Sequence, residues 1–182
     1  MNEVRIRSAV PADAAVIAGI YNAFVHTSTA TWDTTAQTVE ERRRWLIDRA
    51  ATGDTVLVAE RAGEILGYAG WAPFRDKPGY AHTREHTVYV AASAQGAGVG
   101  TRLLTGLIAA AGEAGVHVLL GVISADNTGS LRLHQRLGFT EVGRLPQTGR
   151  KFGRWLDLVF VQLTFDERAA AATAGRVGEP VG

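Results

Sequence analysis

The run Glu85-His86-Thr87-Val88-Tyr89-Val90 closes a β-like stretch, and Gln95-Gly96-Ala97-Gly98-Val99-Gly100-Thr101 then opens an apolar helix. A glycine-rich turn at a helix start aims free backbone N–H groups and the positive end of the helix dipole at one point, which makes a seat for phosphate. Residue types exclude two common versions of that device. A P-loop needs Lys followed by Ser or Thr at the helix start, and this loop ends Gly98-Val99-Gly100-Thr101-Arg102 without a lysine. A dinucleotide fingerprint needs GxGxxG after a first parallel strand, whereas these glycines stand at 96, 98 and 100 behind strands that read as antiparallel. What remains is Q-x-x-G-x-G, with one carboxylate, Glu85, on the strand that leads into it.

Other side chains offer further chemistry. Glu85 reads either as a general base or as a solvated strand-edge acid. Arg75 carries a planar guanidinium suited to bidentate capture of a carboxylate. Trp32, Trp71 and Phe74 would wall a pocket or simply pack. Asn127 and Ser130 stand at a helix start, where capping is their ordinary task. His134, of the residue type that ordinarily changes charge near neutral pH, is either a proton donor or a packing residue. The chain has no cysteine, so thiolate metal sites are excluded, and no metal site is expected.

Those residues need elements to position them. Val4 and Ile6 alternate with arginines in a short strand, and Pro11 with Asp13 opens a helix whose apolar face is read as Val16, Ile17, Ile20 and Phe24. Residues 26 to 33, HTSTATWD, form a loop suited to line a site, and Thr38 with Glu41 has capping-box spacing at the start of a second helix. Two β-rich runs flank Arg61-Ala62-Gly63-Glu64 as an antiparallel hairpin, and HTREHTVYV adds a third strand. Leu103, Leu104, Leu107, Ile108 and Ala111 repeat at helical spacing after the glycine loop. VHVLLGVI is a buried strand, residues 127 to 137 a short helix closed by Gly138, and two strands follow near residues 141 to 144 and 155 to 164. The expected organisation is one domain over residues 1 to 165 and a mobile tail over 166 to 182.

Composition sets the class. With 182 residues, 46% of them hydrophobic and 20% charged, the chain has ordinary globular make-up, and its net charge of +1 comes from scattered residues, which argues against a nucleic-acid footprint. No segment approaches the roughly 20 apolar residues needed to cross a bilayer, so a cytoplasmic protein with no membrane partner is expected.

The Q-x-x-G-x-G loop after Val88-Tyr89-Val90 resembles the acyl-CoA signature of the GCN5-related N-acetyltransferase superfamily, and the order of elements is similar to that fold from about Val4 to Thr164. TSTATWD, EHTVYV, Asn127 with Ser130, Leu133-His134 before Leu137-Gly138-Phe139, and Lys151-Phe152-Gly153-Arg154-Trp155-Leu156-Asp157 carry a narrower resemblance to the phosphinothricin and methionine sulfoximine acetyltransferases. The resemblance implies an α/β fold, a mixed, mostly antiparallel twisted sheet of six or seven strands flanked by about four helices. It implies acetyl-CoA as co-substrate, with no metal, held by Val88, Tyr89, Val90, Gln95, Gly96, Ala97, Gly98, Val99, Gly100, Thr101, Asn127 and Ser130. Glu85 would be the base; His134 stands in the helix where many members carry a tyrosine acid, with Tyr89 as a weaker substitute. The acceptor, a small amino-acid analogue, would meet Thr31, Trp32, Arg75, Asp76, Lys77, Glu85, His86, Thr87, Lys151, Phe152 and Arg154, the last three from a loop that closes the site across a homodimer interface. The rival readings are an acetyltransferase for another small amine or a protein N-terminus, and a non-catalytic acyl-CoA-binding protein.

Overall fold

A computed structural model describes residues 3–165; the expected mobile tail lies outside them. The elements are β1 (Arg5–Ser8), α1 (Ala14–Thr27), α2 (Val39–Thr52), β2 (Val56–Arg61), β3 (Glu64–Pro73), β4 (Thr83–Val90), α3 (Val99–Glu113), β5 (Val118–Ser124), α4 (Thr128–Arg136), β6 (Thr140–Lys151) and β7 (Arg154–Thr164). The strands form one sheet in the order β1-β2-β3-β4-β5-β7-β6, antiparallel throughout except for the β4–β5 pair. This is the mixed sheet with four helices that the sequence predicts. None of the helices among the described residues is long and apolar enough to cross a membrane.

Local chemistry explains the boundaries. Ala62 and Gly63 both take positive φ, 54° and 83°, as the tight β2–β3 turn requires. At α2 the Thr38 hydroxyl accepts from the Glu41 N–H at 3.1 Å while the Glu41 carboxylate accepts from the Thr38 N–H at 2.7 Å. Gly53, left-handed at φ 75°, ends that helix.

Two cores sandwich the sheet. One packs Leu103, Leu104 and Leu107 of α3 against Leu57, Leu66, Ala69 and Leu119; these three leucines are fully buried, each contributing about 1.5–3 kcal/mol. The other packs Ile17, Ile20, Tyr21 and Val25 of α1 with Leu46 of α2 against Val56, Val58, Tyr68 and Tyr89.

Two expectations are corrected. Val16 is 45% exposed, because the buried stripe of α1 runs through Ile17, Ile20, Tyr21 and Val25 and Val16 lies one residue off it. The strand read near residues 141 to 144 extends over Thr140–Lys151. Pro146 and two register shifts, between Glu141 and Gly143 and between Leu145 and Gly149, disguise it, and β6 tolerates them because it is an edge strand.

The feature that makes a site is where β4 and β5 part. Their pairing runs from Thr83↔Val118 to His86↔Gly121 and stops. Beyond His86 the strands are no longer paired to one another, and β5 continues on β7 alone.

Candidate active site

On one side of this opening lies a groove of about 1210 Å³. Its floor is Val88 and Val90 of β4; one wall is the glycine loop and α3, the other Asn127, Ser130 and Leu133. Gly96 and Gly98 are left-handed at φ 77° and 78°, and Gly98 is the N-cap of α3 without a side-chain cap, so the first-turn N–H groups are open to a ligand. A Cβ on Gly100 would stand 3.3 Å from Leu133, so glycine keeps α3 close to α4. Val99 is buried, Thr101 faces the groove, Ala97 is exposed, and Gln95 folds back to donate to the Val90 carbonyl at 3.3 Å. Asn127 caps α4, accepting from the Ser130 N–H at 3.1 Å.

Arg132 and Arg136 also line the groove, and the sequence reading missed them. Their spacing of one helical turn behind the Asn127 cap was the available signal. An apolar floor with N–H groups and two guanidiniums suits a long thiol arm ending in phosphates, so these residues fit acetyl-CoA.

The alternation of β4 sends successive side chains to opposite faces. Tyr89 joins the α1/α2 core while Val88 and Val90 join the α3 core, which puts Glu85 and Thr87 on Tyr89's side and His86 on the other. Glu85 is partly buried; burial raises its carboxyl above the ordinary value, and the Arg75 cation opposes that rise. Arg75, Asp76 and Lys77 lie on the exposed β3–β4 connection, and the Arg75 guanidinium sits 4.8 Å from the Phe74 ring. Tyr89 stacks on Tyr68 and meets Tyr21 and Phe24 edge-on. Burial raises its phenol well above the usual range, so it stays protonated.

The loop between α1 and α2 is fastened from several directions. Thr31 is buried and shares a hydrogen bond of 2.9 Å with the Tyr21 hydroxyl, which also donates to Asp33. Lys151 is only 4% exposed, and its ammonium donates to the carbonyls of Ser28 and Thr31 at 2.7 Å each. That cation therefore shapes the loop from beneath. The Trp32 ring lies so close on Gly149 that a Cβ there would come within 2.2 Å of it. Asp126 accepts from Thr29 and Ser124 at 2.8 Å and from Arg154 at 2.6 Å. At the tip of the β6–β7 hairpin, Phe152 and Gly153 take positive φ and Phe152 is 56% exposed.

His86 and His134 meet at the point where β4 and β5 separate. Their Nε2 atoms are 2.9 Å apart, and His134 Nδ1 lies 2.7 Å from the Ser130 carbonyl and 3.4 Å from its hydroxyl. Both rings pack on Phe139. Burial depresses His86 to about 3, and lowers His134 as well. The structure thus turns His86 away from Glu85's face and engages both nitrogens of His134.

The acetyltransferase (GNAT) family model matches residues 17–139. The chain is 44% identical to the L-amino acid N-acyltransferase MnaT of Escherichia coli, over 93% of this chain and 99% of that one. It is also 44% identical to an L-methionine sulfoximine/L-methionine sulfone acetyltransferase of Pseudomonas aeruginosa, over 91% and 97%. Among solved structures, a phosphinothricin acetyltransferase from Sinorhizobium meliloti in complex with AcCoA superimposes with a TM-score of 0.87 at 31% identity, covering 98% of this chain and 93% of that one. The glycine cradle at α3, the parted strands and these likenesses agree: the chain belongs to the acetyltransferase (GNAT) family and is an acetyl-CoA-dependent N-acetyltransferase.

Proposed function

We propose that the enzyme acetylates the α-amino group of a small amino acid or analogue, such as methionine sulfoximine, methionine sulfone or phosphinothricin. The observation that carries this reading is the partly buried Glu85 under the influence of Arg75, on the same strand as Val88, which floors the cofactor groove three residues further on. An α-amino acid at neutral pH presents an ammonium, which is not a nucleophile, and a carboxylate. Glu85, its affinity for protons raised by burial, takes the ammonium proton directly or through one water. Arg75 holds the carboxylate, so the amine reaches the opening between β4 and β5 in one orientation. Bound acetyl-CoA would supply the thioester carbonyl for the amine's attack, in a groove that the backbone of Val88 and Val90 runs beside; as the C–S bond breaks, the thiolate would leave as the thiol with the proton that the new amide nitrogen sheds. Thr87, Trp32 and the 28–33 loop complete the acceptor side. Thiol release from acetyl-CoA, measured against a panel of amino acids, their esters and simple amines, tests this: α-amino acids with a free carboxylate should turn over. A preference for amines lacking the carboxylate would overturn it.

We also propose a cytoplasmic homodimer. Val142, Leu145, Phe152 and Trp155 are 45–60% exposed along one β6–β7 hairpin, an apolar ribbon matched to a second copy of itself. Trp155→Arg should convert the dimer to monomer in sedimentation, and a monomeric wild type would refute it.

A further inference from the structure

The His86–His134 pair is a buried group that the proposed chemistry does not use, and proton counting restricts what it does. Two neutral imidazoles hold two ring protons for four nitrogens. The Ser130 carbonyl can only accept, so at 2.7 Å His134 Nδ1 carries a proton. That leaves His134 Nε2 as a lone pair, and the 2.9 Å contact then needs its proton on His86 Nε2. His86 Nδ1 is consequently a bare lone pair, and it is the ring atom of the pair with no hydrogen-bond partner among the described residues. The one tautomer set allowed by the contacts also accounts for the orphan atom.

The surroundings hold the pair neutral. Desolvation is the largest influence on both rings, and no carboxylate acts on either. The Leu120 carbonyl favours a proton on His86 without making a hydrogen bond to it. The pair's neighbours are Phe139, Val161 and Gly121; a Cβ on Gly121 would stand 2.8 Å from Val161 and 3.0 Å from His86. A glycine in the middle of an otherwise apolar strand makes room for the pair.

We infer that His86 is a positioning residue: its Nε2–H locks His134 in the Nδ1–H form, so that His134 braces the Ser130 turn of α4 against the point where β4 and β5 part. In that form His134 has no free N–H for a departing thiolate. Passing its Nδ1 proton outward through the Ser130 hydroxyl and refilling from His86 would leave His86 an imidazolate in the core, which burial forbids.

Turnover arms of the test rest on the acetyltransferase reading above; the spectroscopic arm does not. With ¹⁵N-histidine-labelled full-length protein, His134 should show the Nδ1–H pattern and His86 the Nε2–H pattern from pH 5 to 8, without titrating. His86→Leu leaves His134 Nε2 unpaired: a new ionisation, held below the ordinary imidazole value by burial, should enter the pH profile of kcat/KM, with KM for acetyl-CoA raised about tenfold as the Ser130 turn loosens. His86→Gln, whose amide N–H still donates, should restore both within about twofold. An Nε2–H His134 in the wild type, a wild-type profile that already titrates on His134, or a Gln variant no better than Leu would each overturn the proposal. If no acceptor turns over, acetyl-CoA binding by calorimetry reads the same contrast.

Discussion

The Lys151 ammonium and the Thr31 carbonyl are 2.7 Å apart, although the two residues lie 120 positions apart in the chain. With the matching bond to Ser28, this contact fastens the loop after α1 to the hairpin tip. The cation does for these carbonyls what a capping residue does for a helix end: it fills acceptors that the backbone leaves unpaired.

Lys151→Met should therefore act on the loop first. It leaves two buried carbonyls without donors, costing about 2 kcal/mol and lowering Tm by roughly 4–8 °C. Because Ser28, Thr29 and Ala30 of that loop also line the cofactor groove, KM should rise for both acetyl-CoA and the acceptor, measured as two separate titrations. Both constants unchanged would place Lys151's influence elsewhere.

Gly149→Ala tests the same loop from the other side. The added methyl would meet the Trp32 ring at 2.2 Å, and backbone on one side and an indole on the other cannot both yield. Overpacking of this kind costs about 1–3 kcal/mol. The near-ultraviolet dichroism should lose a tryptophan contribution that is equally absent in Trp32→Phe; an unchanged spectrum would mean that the contact is not kept in solution.

If Glu85 is the base proposed above, it and Arg75 together should govern the acid limb of activity. As a base Glu85 must be ionised, so kcat/KM falls as pH drops through its raised pKa. Arg75 holds that pKa down; removing it in Arg75→Met should move the limb to higher pH, and added salt should move the wild type the same way by screening the cation. Glu85→Gln should abolish the limb and lower turnover about 10²–10⁴-fold with acetyl-CoA affinity unchanged. A limb that moves to lower pH in Arg75→Met would contradict the coupling.

Arg132 and Arg136 should carry charge to the cofactor's phosphates. Each alanine variant should raise KM for acetyl-CoA about tenfold, as loss of one charge-assisted contact predicts, with no change in KM for the acceptor. The salt dependence of acetyl-CoA binding should flatten in the double variant. If it does not, these arginines only border the groove.

How much of this was legible in the sequence follows the range of the interactions. The cradle was readable because its glycines, helix start and strand lie within about twenty residues and each answers a local backbone need. The Thr38–Glu41 capping box was equally local. Arg75's tie to Glu85 was approached through residue type alone. The resemblance put His86 on the acceptor side, but strand alternation sends it to the face opposite Glu85, to a partner 48 positions away. Lys151 was expected at the substrate, yet its partners are carbonyl oxygens, which every residue has and no pattern announces. β6 hid behind Pro146 and its register shifts, since edge-strand status comes only from the assembled sheet.

The long reach of the hairpin also orders the birth of the enzyme. A chain still being synthesised acquires the glycine loop, α3 and β5 well before residues 149 to 151 emerge, so the cofactor groove's main walls can form while the loop over the acceptor side still lacks Gly149 beneath Trp32 and Lys151 beneath Thr31. A product truncated ahead of the hairpin would lack those supports, and β5 and the α3 core would also lose β7 with Val159 and Val161. The loop after α1 is thus fastened last, by residues from the final two strands.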